Sequence, residues 1–189
     1  MGHCGRWGFT PLALLSLSQL NKKGAAMSIE EAGVSFKELI AYNHSETMRW
    51  KEWFACNPKA WDVSVGGNAA IIRCLVLHIF YAEYGFAARL SRQEVLKEKL
   101  ETKTVEELFA FHDEAHEMLS QYVDAADEQE LRRIDDLPFI SGLKVSNRKM
   151  LAQALFHGIH HWAQVAMAVR QAGIPSDGPH DLILSTAMQ

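Results

Sequence analysis

The stretch AAIIRCLVLHIFYAEYGFAARL, from Ala69 to Leu90, is apolar almost all round, and a helix of that character belongs inside a core with neighbours on several sides. The chain must supply the other helices. Asn68, after Gly66 and Gly67, is the expected N-cap of this one. From Ser35 to about Cys56, Phe36, Ile40, Trp50 and Phe54 recur on one stripe with Leu39 and Met48 beside it, the 3.6-residue period of an amphipathic helix that Asn57 and Pro58 close. A third segment begins after Thr104, where Glu107 completes a capping box, and continues to about Ala125, with one more turn offered by Asp127 to Leu131. After a linker containing Pro138 and Gly142, Ser146 caps a last helix that reaches Ala172 and stops at Gly173 before Pro175. That helix spans roughly 40 Å at 1.5 Å per residue. No run of alternating β-branched residues is bounded by turn dipeptides. The expected fold is all-α, a four-helix bundle with antiparallel neighbours.

Composition narrows the function classes. With 48% hydrophobic and 22% charged residues, 189 residues suffice for one well-buried domain. The net charge of −4, with acidic and basic residues interspersed, lacks the basic footprint that phosphate backbones require, so no nucleic-acid partner is expected. Cys4, Cys56 and Cys74 lie far apart without a CxxC pair, which argues against a disulfide scaffold or a cysteine zinc site and suits a reducing cytoplasm. Near the start, FTPLALLSLSQL is too short to cross a bilayer, and its basic cluster follows the apolar run, the wrong side for a signal peptide. Met27 is the expected natural start, with residues 1–26 an upstream extension and 27–189 a single bundle domain. No other segment is apolar enough to span a membrane, and no membrane partner is expected.

The last helix carries the chemistry. His157 and His161, in LFHGIHHWAQVAMAVRQAG, are four residues apart, so one helical turn stacks both imidazoles on one face, within reach of one ion. His160 also shares a face with His157, and 157/160 is the competing pair. The ridge through 157 and 161 continues to Gln164, a polar side chain able to orient a ligand, which favours 157/161. A metal that does chemistry usually takes three protein ligands and keeps a position open. On the second helix His78 has Ile71, Cys74, Leu75, Tyr81, Ala82 and Gly85 around it, none charged, so it is expected to face the interior and either hydrogen-bond across the core or bind a metal. His112 and His116 form a rival i, i+4 pair, but Asp113, Glu114 and Glu117 surround them and surface or packing roles are expected, with a role behind a ligand or lining a pocket as the alternative for His112, which lies closer to the stripe of Leu108, Ala115 and Leu119. His44 and His180 have no partner in sequence and are expected to be solvated.

Taken together, HIFYAEYGFAARL on the second helix and GIHHWAQVAMAVRQAG on the fourth, about 80 residues later, resemble the DinB/YfiT-like superfamily over roughly residues 35–175. The resemblance implies a four-helix bundle that holds a divalent metal, commonly zinc or nickel, through His78, His157 and His161. It also implies thiol chemistry, transfer of a low-molecular-weight thiol to a small-molecule substrate, while a water made acidic by the same ion would serve small-molecule hydrolysis. Two departures stand out. Trp162 occupies a position where many members have arginine, and Glu83 follows the helix-two histidine at i+5, expected to point away from the metal as a surface or interhelical partner for Arg89 or a neighbour. No carboxylate accompanies the histidines on the last helix, unlike an HExxH site. Any catalysis would then use the metal with Gln164 and His160, and secondarily Tyr81 or Asn43, as polar assistants. Trp50, Trp53, Phe54 and Trp162 are candidates for an apolar pocket wall. The alternative is a non-catalytic, stress-related metal-binding homodimer. Either metal reading requires the three imidazole centres to lie within about 8 Å of one another, given Zn–N bonds of roughly 2 Å.

Overall fold

In the computed structural model, which describes residues 33–66, 69–94, 104–137, 141–175, 178 and 180–187, four long helices form the expected bundle: α1 (Phe36–Cys56), α2 (Ile72–Leu90), α3 (Val105–Ala125) and α5 (Asn147–Gln171). A short α4 (Glu128–Arg132), capped by Asp127, lies between the last two. The caps read from sequence are present. Ser35 with Glu38 and Thr104 with Glu107 close reciprocal capping boxes, and the Ser146 hydroxyl accepts from the Lys149 amide. The residues around Asn68 and Pro138 lie outside the described set, as do residues 1–26.

Two small antiparallel hairpins were not anticipated. β1 (Ser64–Gly66) pairs with β2 (Ala70–Ile71), and β3 (Ile134–Leu137) pairs with β4 (Leu143–Ser146) in the register Ile134 to Ser146 and Leu137 to Leu143. Strands of two to four residues are too short to display a two-residue period, so pattern reading has nothing to detect. β2 also displaces the start of α2 from Ala69 to Ile72, with Ile71 as a cap that offers no side-chain acceptor. β4 runs directly into α5 and so sets the direction of the histidine-bearing helix.

α2 packs against both α3 and α5, and α1 closes on the same two helices. The core between them is rich in aromatic side chains. Trp50, Phe54, Phe80 and Phe109 are fully buried, with Phe54 stacked on Trp61 at 3.9 Å between ring centres and Trp50 stacked on Trp162 at 5.3 Å. Each such side chain contributes about 1.5–3 kcal/mol relative to exposure. One flank of α2 is left uncovered, however: Cys74, His78 and Tyr81 are exposed. This corrects the expectation that His78 faces the interior. Apolar neighbours in sequence state what a helix surface tolerates, whereas burial depends on whether another element lies over it.

Candidate metal centre

His78 from α2 meets His157 and His161 from α5 on the open side of the seam between those helices. The ring centres are 4.8 Å apart for 78 and 157, 4.9 Å for 78 and 161, and 4.4 Å for 157 and 161, well inside the required span. One nitrogen from each ring lies within 4.8 Å of the other two. Nε2 of His78 and Nε2 of His157 face each other at 3.1 Å, close to the roughly 3.3 Å that two ligands on one tetrahedral zinc adopt. The three donors therefore fit a small dication.

The surroundings tune these rings unequally. Nδ1 of His161 donates to Oε1 of Gln164 at 2.8 Å, which places the proton on Nδ1 and leaves the Nε2 lone pair for a ligand. The Gln164 amide nitrogen in turn lies 3.4 Å from Nε2 of His160, which is exposed and whose ring meets that of His161 edge-on at 5.0 Å between centres. Nδ1 of His157 is buried with no hydrogen-bond partner among the described residues. Burial, and then the imidazoles of His161, His78 and His160, push the His157 pKa down to about 4, and burial followed by His161 lowers that of His78. Both rings are thus neutral at pH 7, the form that can bind a cation. Because an outer hydrogen bond orients its ligand, Gln164→Ala is expected to weaken metal affinity by about 10–100-fold, measured by competition with a chromophoric chelator. An unchanged affinity would show that Gln164 does not orient His161.

His44 and His180, expected to be solvated, have partners instead, and Glu83 is an interhelical partner, reaching α1 and α3 rather than Arg89. Glu83 is 3% exposed, accepts from the Asn43 amide at 2.8 Å and from Nδ1 of His112 at 2.9 Å, and does not pair with Arg89. Arg89 serves Asp135 and the Asp136 carbonyl. Asn43 is thereby committed to Glu83 rather than to the triad. His44 is not solvated: its Nδ1 lies 3.0 Å from Nε2 of the fully buried His112, and its ring stacks on His116 at 4.0 Å. His180 also has partners, stacking on Trp50 at 4.5 Å with Nδ1 2.7 Å from Oε2 of Glu46. One signal for the Glu83 network was in the sequence: Ile79, Phe80, Phe86 and Ala87, its i±3 and i±4 neighbours, are all apolar, and a carboxylate on such a face must be paired.

Burial first, then His44 and His112, push the His116 pKa down to about 4, as for His157. Between about 4 and the ordinary 6.5 the unfolded chain binds protons that the folded chain does not, so folding stability rises with pH across that window. The metal-free protein is expected to lose stability as pH falls from 6.5 towards 4 and to level off, for these two groups, below that. Urea midpoints measured against pH in the presence of chelator test this, and His116→Gln should flatten the slope.

Trp50 and Trp162, but not Trp53 or Phe54, line a cavity of about 310 Å³ together with Tyr42, Glu46, Arg170 and His180. It lies on the opposite flank of α5's buried stripe from His157 and His161, since residues 162, 166 and 170 are roughly 140–220° round the helix from 157. Among the described residues, no helix is long and apolar enough to cross a membrane. A comparison with curated proteins finds no match. The model of the DinB family matches residues 27–182, a span that contains all four long helices and all three converging histidines, and the chain belongs to the DinB family.

Proposed function

We propose that the protein is a metal-dependent enzyme in which His78, His157 and His161 hold a divalent ion, zinc or nickel, and that it transfers a low-molecular-weight thiol to a small electrophile or hydrolyses a small molecule. The observation that carries this reading is the convergence of three imidazoles on a partly exposed face, with no fourth side-chain ligand grouped with them among the described residues. Three uncharged ligands leave the ion its full positive charge, which supplies the acidity that makes a thiol or water nucleophilic near neutral pH. The chain's own part is positional. His161 is oriented by Gln164, His160 lies one hydrogen bond further out where it can take or return a proton, and exposed Tyr81 is one turn from His78 on α2.

Turnover by the fully metallated protein, with a panel of thiols and electrophiles, tests this proposal. A rate that appears with metal and disappears on chelation is expected. The second reading is a non-catalytic metal-binding homodimer. It is supported by the lack, among the described residues, of a carboxylate grouped with the triad and by Phe156 and Met167, 57% and 50% exposed along α5. No turnover in a metallated sample that light scattering shows to be dimeric would favour it.

A further inference from the structure

We propose that His44, His112 and Asp113 form a second cation site, separate from the triad, that clamps α1 to α3 by holding a first-row dication such as zinc. Glu83, behind His112, is five residues beyond His78, so it lies roughly 140° away round α2. The two histidine groups therefore occupy different seams of the bundle.

Four observations support this site. Nδ1 of His112 is engaged by Glu83 at 2.9 Å, which leaves Nε2 as the nitrogen turned towards α1, the arrangement in which a carboxylate orients a metal-ligating histidine. His112 Nε2 faces Nδ1 of His44 at 3.0 Å, a contact that either one shared proton or one cation satisfies. An Asp113 carboxylate oxygen lies within 4.8 Å of one ring nitrogen of each histidine, providing a third donor and a negative charge. Finally, His116 stacks on His44 at 4.0 Å with 14° between the planes. It presents its ring face rather than a lone pair, and so covers and orients His44 without acting as a ligand.

Burial and the adjacent His112 lower the His44 pKa, which keeps that ring in its metal-binding form at neutral pH. Lys51 Nζ lies 3.9 Å from Asp113 and would have to yield the carboxylate. Two nitrogens and one carboxylate suit zinc or iron(II) and disfavour calcium and magnesium, which prefer all-oxygen sets.

Zinc loading followed by desalting and elemental analysis of the full chain tests the proposal independently of the triad. Wild type should hold two ions per chain and His157→Ala/His161→Ala one. Adding His44→Gln and Asp113→Asn to that variant should remove the second ion, with affinity at this site down by at least about 10-fold. Both added changes are at side chains that reach the surface, and His112 and Glu83 are left in place so that the fold survives, checked by circular dichroism. A triad variant that holds no zinc, or one whose remaining zinc is unaffected by His44→Gln/Asp113→Asn, overturns the second site. Two ions in wild type with both retained in the triad variant would instead count against the triad.

Discussion

His161→Ala is expected to abolish the metal binding proposed for the triad while leaving the bundle folded. His161 is half-buried on the flank of α5, and its removal leaves two imidazoles, His78 and His157, whose Nε2 atoms already face each other at 3.1 Å. Two neutral donors without a charge or a chelating third are a poor match for a dication that prefers four ligands. Loss of an orienting partner alone costs about 10–100-fold in affinity, so loss of a ligand is expected to cost more than about 100-fold. Chelator competition measures this directly. The thermal midpoint of the metal-free variant should match that of metal-free wild type within a few degrees. Retention of wild-type affinity by His161→Ala would sink the triad as a metal centre and with it the enzymatic proposal.

Glu83→Leu is expected to destabilise the fold by about 3–5 kcal/mol, the range for breaking a buried hydrogen-bonded pair from one side. Leucine has nearly the right volume, so the loss reports polar satisfaction rather than a cavity. Without the carboxylate, the Asn43 amide, 4% exposed, and Nδ1–H of His112, fully buried, both lose their acceptor. Each unsatisfied donor costs about 1–3 kcal/mol. Glu83→Gln should fall between, because its single carbonyl oxygen can serve only one of the two donors. Urea unfolding of the chelated protein, read as a shift in midpoint at constant slope, measures both. A loss below about 1 kcal/mol for Glu83→Leu would mean that Asn43 and His112 find other partners and that the network is not a stability element.

The contrast between these two residues shows how far a sequence reading reaches. The helices, their Ser and Thr caps and the HxxxH pair follow from spacing within one element, because the helical period puts fixed offsets on one face whatever surrounds them. His157 and His161 needed nothing else to be placed together. Glu83 meets residues 40 and 29 positions away, and His44 meets His112 across 68. Periodicity assigns a residue to a face, but which face turns towards which neighbour depends on how α1, α2 and α3 rotate and cross when side chains interlock. The same degree of freedom left His78 open to solvent on a helix whose composition suggested full burial. Local hydrogen bonding along the chain thus defined the four helices and two of the three converging rings. The packing of one helix on another, a matter of complementary surfaces rather than of period, brought in the third ring and built the Glu83 network.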